Sequence, residues 1–227
     1  MKNPVGHIRS FVRRQGRITH AQQHALENYW PEYGICYTPE PLDLDLQFSR
    51  TAPKILDIGV GMGGQTIAMA RTHPENDYLA VEVHTPGIGY LLRTIKENNF
   101  SNIRIINHDI MDVLQHQLAP QSLDSVCLFF PDPWPKKRHH KRRLVNNVFL
   151  ERIAVCMKRH ARFFIATDWQ DYAEHIIDVF RDQPGFRNLA GPGKTAPRPQ
   201  WRIPTRFEKR GENLQHNIYD FVFALEY

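Results

Sequence analysis

From residue 54 onward the chain alternates between two hydrophobic rhythms. KILDIGV (54–60) is a continuous apolar run of strand length that breaks into glycines, and QTIAMARTH (65–73) behind it has helical spacing. NDYLAVEVH (76–84) repeats the strand signal, followed by a helical GIGYLLRTIKENN (87–99). IRIINHD (103–109) predicts a third strand, MDVLQHQL (111–118) a short helical stretch, and LDSVCLFFPDP (123–133) a fourth strand. VNNVFLERIAVCMKRH (145–160) reads as one amphipathic helix and ARFFIATDW (161–169) as a fifth strand. Strands that are apolar on both faces and separated by helices predict an α/β fold with a doubly wound, mostly parallel sheet.

The ends break this rhythm. After residue 184 the run PGFRNLAGPGKTAPRPQW has loop composition, and the terminal NIYDFVFALEY (217–227) predicts an antiparallel strand added to the parallel core. Residues 1–50 lack the alternation and read as a basic N-terminal extension packed on a domain spanning 51–227.

Charge sharpens the picture once it is located. The net charge is +5, but Lys136–Arg143 holds six Lys/Arg and residues 1–17 hold five more, with no acid in either stretch. Without those eleven cations the rest of the chain stands at −6, so an acidic body carries two basic patches suited to a polyanion. No apolar run approaches a membrane span, and the N-terminus lacks a secretory h-region. Three cysteines without a CxxC pair predict reduced thiols in a cytoplasmic protein, and no histidine spacing asks for a metal. Nothing in the sequence calls for an obligate protein partner.

The candidate chemistry sits at strand ends. Gly59-Val60-Gly61-Met62-Gly63-Gly64 fits both GxGxxG, the dinucleotide fingerprint, and GxGxG, a loop that serves S-adenosylmethionine. Asp57 would face a dinucleotide's pyrophosphate with like charge, whereas S-adenosylmethionine brings an ammonium and a sulfonium there. Glu82 ends the second strand, placed for ribose hydroxyls, and Asp109 ends the third, placed for an adenine amine. Taken singly, each acid reads as a solvated strand end. Together beside a glycine loop they favour S-adenosylmethionine.

FFPDPWPKKRHHKRR (129–143) then holds Asp132 between Pro131 and Pro133 at the end of the fourth strand. The prolines fix φ on both sides of the carboxylate and lower the entropy cost of placing it. Trp134 offers a flat face for a base, and the cations from Lys136 onward can hold phosphates. The plain alternative is a proline turn before a solvated basic helix face.

LDIGVGMG, AVEVH, the strand-end Asp109, FFPDPWPKKRHHKRR, ATDW and TRFE, in this order, resemble the bacterial tRNA (guanine-N7-)-methyltransferases over roughly residues 5 to 227. The resemblance implies a class I, Rossmann-like methyltransferase fold. It also implies methyl transfer from S-adenosylmethionine, without a metal, to N7 of guanine 46 in the variable loop of tRNA. Asp57, Gly59, Gly61, Glu82, Asp109 and Asp132 would line the cofactor site, with Asp132 catalytic. Lys136, Asp168 and the run Thr205, Arg206, Phe207 and Glu208 would contact the substrate. Asp57 departs from the family's usual glutamate, and its shorter side chain implies contact through a bridging water. Competing readings are methylation of an exocyclic amine, an NAD(P)-linked oxidoreductase and a non-enzymatic RNA-binding protein. PDPW in place of [DN]PP[YF] weighs against the first, the missing hydride-transfer constellation against the second, and the strand-end acids against the third.

Overall fold

The computed structural model describes residues 9–11, 16–205, 208–209 and 216–227. Its centre is an eight-stranded sheet in the order β1-β4-β3-β2-β5-β6-β8-β7. The five core strands are β2 (Lys54–Ile58), β3 (Asp77–Val81), β4 (Ile103–Ile106), β5 (Leu123–Phe129) and β6 (Met157–Thr167), all parallel. β8 (Tyr219–Leu225) pairs antiparallel with β6 as the terminal apolar run predicts.

Helices cover both faces, which is why the strands read as nearly unbroken apolar runs. On one face α1 (His20–Asn28), α4 (Gly64–Thr72) and α5 (Thr85–Glu97) pack Ala25, Ile67, Ile88, Leu92 and Ile95 against Tyr78, Ala80, Ile103 and Ile105. On the other, α7 (Asn147–Cys156) and α8 (Gln170–Arg181) pack Phe149, Ile153, Tyr172 and Ile176 against Leu56, Ile58, Leu128 and Phe163. Neighbouring residues of one strand, such as Ala80 and Val81, thus serve opposite cores.

Four details differ from the sequence expectation. The helix expected over 145–160 stops at Cys156, because Met157 already pairs with Leu123 and starts β6. Within the expected loop after residue 184, Phe186–Asn188 forms β7 on the outer side of β8. The helical stretch after β4 is α6 (Ile110–Asp112) running into a π-type turn over Val113–Gln117. Residues 20–48, which carry no strand rhythm, contribute α1, α2 (Trp30–Tyr33), α3 (Leu44–Phe48) and the two-residue β1 (Gly34–Ile35), parallel to β4. Two residues are too few to leave a period in the sequence.

The long segment before β8 is held by a buried charge network. Arg202 is fully buried, donating through Nε and an Nη to Asp220 at 2.8 and 2.9 Å and through both Nη atoms to Glu208 at 2.6 and 3.1 Å. Its guanidinium also lies 5.7 and 5.6 Å from the ring centres of Phe129 and Phe130. Removing one partner would strand a charge in a dry site. Asp220→Ala is therefore expected to lower unfolding free energy by about 3–5 kcal/mol, read from urea denaturation; a decrease below about 1 kcal/mol, the scale of an exposed pair, would show the network to be solvated.

Candidate active site

The carboxyl ends of β2, β3, β4 and β5 open onto a cleft of about 550 Å³, within the range of sites that enclose a small molecule. The glycine loop forms its floor. Gly59, Gly61 and Gly63 all take positive φ, which glycine adopts without a side-chain clash. A Cβ built on Gly59 or Gly61 meets no atom within 4 Å, so both present bare backbone to open space in the cleft they line. Gly63 differs, since a Cβ there would run into Leu91 at 2.4 Å; that glycine lets α4 pack on α5.

Glu82 binds this loop to β3. Oε2 accepts from the Gly61 N–H at 2.6 Å, and Oε1 accepts from the Val83 and His84 N–H groups at 2.7 and 2.9 Å. The carboxylate lines the cleft while three backbone donors fix its orientation. About four acceptor positions belong to a carboxylate, so one remains for a hydroxyl.

Asp57 lies beneath the floor. It is 3% exposed, and its Oδ2 accepts from the Thr66 hydroxyl of α4 at 2.6 Å. Burial, opposed by that hydrogen bond and reinforced by the negative Glu82 nearby, pushes its pKa up to about 7. Asp109 caps α6 by accepting from the Met111 N–H at 3.0 Å, while its neighbours His108 and Ile110 line the cleft.

Asp132 stands exposed at the cleft wall, framed by Pro131 and Pro133. The loop that carries it is bent sharply, with φ of 54° at Phe130 and 46° at Trp134, a region side chains other than glycine rarely adopt. The Trp134 indole N–H donates to the Ser10 carbonyl at 2.9 Å, and the Arg142 guanidinium sits 4.8 Å above its ring. Ser10 and Phe11 consequently line the cleft, a contribution of the N-terminal segment that no periodicity announces.

The basic run divides in two. Lys137–Arg142 forms a 3₁₀ helix with Lys136 at its N-cap, and Lys136, Lys137, Arg138 and Lys141 are exposed. Arg143, expected to face phosphates with the others, turns inward and is 2% exposed. It donates through Nε to the Pro133 carbonyl at 3.0 Å and through Nη2 to the Asp171 carboxylate. Of the N-terminal cations, Arg9 and Arg17 are exposed, and Lys2, Arg13 and Arg14 lie outside the described residues.

Asp168, Thr205 and Glu208, expected on the substrate side, do not line this cleft. Asp168 lies at the end of β6 in a second cleft of about 480 Å³ with Trp169, Gln170, His216 and Tyr219, and its carboxylate is 3.6 Å from His216 Nδ1. Thr205 and Glu208 cap one another: the Glu208 N–H donates to Thr205 Oγ1 at 3.1 Å, and the Thr205 N–H to Glu208 Oε2 at 3.3 Å. The T-x-x-E spacing is thus a capping box, a signal legible in the sequence. Glu208 is 2% exposed with its carboxylate on Arg202, so in this arrangement it faces inward and fastens the segment. Arg206 and Phe207 lie outside the described residues.

Among the described residues, no group of three or more His, Cys, Asp or Glu is placed to hold a metal ion. No helix among them is long and apolar enough to cross a membrane.

Residues 51–221 match the family described as putative methyltransferase. A protein of Nitrosospira multiformis called tRNA (guanine-N(7)-)-methyltransferase is 51% identical over 97% of this chain and 96% of its own. One of the same name from Edwardsiella ictaluri is 49% identical over 96% of this chain and 92% of its own. Among solved structures, the 16S rRNA methyltransferase KamB superposes with a TM-score of 0.55 at 14% identity, over 83% of this chain and 95% of that one, a likeness of fold. With near-complete coverage at half identity, the chain belongs to the tRNA (guanine-N7-)-methyltransferase family.

Proposed function

We propose that the protein transfers a methyl group from S-adenosylmethionine to N7 of a guanine in tRNA, at position 46 of the variable loop. The observation that carries this reading is one juxtaposition. A bare-backbone glycine floor and a ribose-type acceptor, Glu82, share a cleft with Asp132, and a cationic helix begins five residues beyond that acid.

When bound, S-adenosylmethionine supplies a methyl group activated on a positively charged sulfur. The residues present suit such a molecule. Gly59 and Gly61 leave room for close approach, Glu82 would offer its remaining acceptor to a ribose hydroxyl, and Asp109, three residues past β4, would accept from the adenine amine. Asp57, when ionised, would supply negative potential to a cationic ligand in the cleft. Its burial and its Thr66 bond favour action through the loop or a water rather than by direct contact.

Guanine N7 carries an exposed lone pair, so no base must first remove a proton. The chain's task is alignment, which can contribute up to about 7–11 kcal/mol. Asp132, rigid between prolines, would accept from the N1–H and N2–H₂ edge of the guanine and stabilise the positive charge arriving on the purine. Lys136 and the exposed cations of the 3₁₀ helix would hold phosphates, with the N-terminal extension (1–50) as a second basic contact. Asp168, Thr205, Arg206, Phe207 and Glu208 complete the substrate side, and Glu208 does so by holding its segment in place.

Incubation of unmodified tRNA with protein and S-adenosylmethionine, followed by nucleoside mass spectrometry, tests the reading. It is expected to yield 7-methylguanosine with the wild type and little with Asp132→Asn. Methylated adenosine or cytidine instead would favour the exocyclic-amine reading.

Replacing Lys136, Lys137 and Arg138 by Ala should weaken tRNA binding. The slope of log affinity against log salt should fall by roughly 0.7–0.9 for each phosphate that is no longer neutralised. An unchanged slope would assign these cations to a solvated face.

The pKa of Asp57 predicts a pH dependence. Below about 7 the free protein holds this carboxyl protonated, and a cationic ligand above it favours the ionised form. Binding therefore releases a proton on the acid side, so donor affinity should rise with pH by up to about tenfold per unit and level off above neutrality. Titration calorimetry from about pH 5.5 to 8.5, a span that brackets this pKa, should show the rise for the wild type and a flatter profile for Asp57→Asn. Parallel profiles would remove Asp57 from the linkage.

A further inference from the structure

Arg143 ends a run of cations, yet its surroundings are those of a structural bolt. Its side chain is 2% exposed, while Lys136, Lys137, Arg138 and Lys141 face solvent. Its side-chain hydrogen bonds lead to the Asp132 loop, to α8 and to the 3₁₀ helix that it follows. Nε donates to the Pro133 carbonyl at 3.0 Å, one residue past Asp132. On the other side Nη2 meets the Asp171 carboxylate and lies 3.2 Å from His140 Nε2, and Nη1 reaches the Asp171 carbonyl at 3.5 Å. The guanidinium also lies 5.0 Å from the centre of the Tyr172 ring. Asp171 and Tyr172 belong to the first turn of α8, shortly after Asp168 and Trp169.

The loop around Asp132 needs such an anchor. Prolines at 131, 133 and 135 fix φ at those positions but leave ψ of Pro133 free. That torsion sets the plane of the Pro133–Trp134 peptide, and Trp134 beyond it is held at a φ of 46°. A non-glycine residue keeps that conformation only where its surroundings hold it. The Pro133 carbonyl and the Trp134 indole are gripped from outside the loop, by Arg143 and by Ser10.

We propose that Arg143 is a positioning residue for methyl transfer: it fixes the peptide that follows Asp132 and sets the distance between that loop and the start of α8. Its planar fork permits this. Nε and the Nη atoms donate in divergent fixed directions, one toward the loop and the others toward α8, which a lysine ammonium on a flexible stem does not reproduce. The proposal rests on Asp132 acting as described above.

The decisive variants are Arg143→Lys, which keeps the charge and removes the fork, and Asp171→Ala with Asp171→Glu. Asp171 is more than half exposed, so its replacement opens no cavity, and a melting curve of each variant records the effect of leaving the buried Arg143 without its carboxylate. The readout is formation of 7-methylguanosine in single turnovers at saturating S-adenosylmethionine and tRNA, with wild type in parallel. Arg143→Lys is expected to lower the rate about tenfold or more, as small misplacements of reacting groups do, with cofactor Kd and tRNA KM within about twofold of wild type. Asp171→Ala should slow in the same way, Asp171→Glu should recover part of the rate, and the double variant Arg143→Lys/Asp171→Ala should be slowed by less than the two effects combined. A wild-type rate in Arg143→Lys would overturn the proposal. So would a defect that appears in tRNA KM with a reduced salt slope, the mark of a residue that holds phosphate. Should Arg143→Lys not fold, Asp171→Ala decides: a slower rate at unchanged KM supports the bolt, and a wild-type rate overturns it. Absence of 7-methylguanosine with the wild type would instead fail the functional reading itself.

Discussion

The cleft exists because β2 pairs in parallel with β3 on one side and β5 on the other, with Ile58 opposite both Val81 and Leu128. That double register brings the glycine loop, Glu82 and the Asp132 loop to one end of the sheet. It also ties the floor at its first residue, since the Gly59 N–H donates to the Val81 carbonyl at 2.8 Å. A one-residue slip of β2 against β3 would turn Leu56 and Ile58 away from the core that they now fill together with Leu79 and Val81. Burial on both faces therefore secures the relative height of the loops, and the chemistry inherits its geometry from apolar packing.

The charged residues fall into two classes that composition does not distinguish. Lys136, Lys137 and Arg138 remain hydrated and free to meet a polyanion. Arg143 and Arg202 are interior groups whose donors are matched to carboxylates and carbonyls. Both interior arginines bear on the segment between β5 and the 3₁₀ helix, Arg202 from the side of Phe130 and Arg143 from the side of Pro133. A loop with two positive-φ side-chain residues is thereby braced at both ends. At Pro133 the brace is a directional hydrogen bond, and at Phe130 it is a guanidinium held against the ring by its own carboxylate partners.

How much of this can be read from the chain follows the range of the forces involved. Strand and helix alternation, the glycine turn and the strand-end acids Asp57, Glu82, Asp109 and Asp132 are local features, and the strands appear where the apolar runs predict. β1 and β7 exist only because partner edges accept two or three residues, and short pairings leave no period. The inward turn of Arg143 is invisible in the sequence, since its partner Asp171 is 28 residues away and the run that precedes it is entirely basic. Ser10 and Phe11 at the cleft are likewise fixed by a bond spanning 124 residues. T-x-x-E at 205–208 is legible as a capping box, but Arg202 as its buried partner is not.

The indole bond from Trp134 to Ser10 and the cation of Arg202 on Phe130 reach the same short loop from opposite ends of the polypeptide. Arg202 in turn depends on Asp220 in β8, the strand that lies between β6 and β7 and is the last to be made. A chain emerging from the ribosome can therefore lay down the glycine floor and the five parallel strands while the Asp132 loop still lacks its brace. The loop is braced only once β8 has docked, so a chain cut before β8 would keep the glycine floor and lack an ordered wall opposite it.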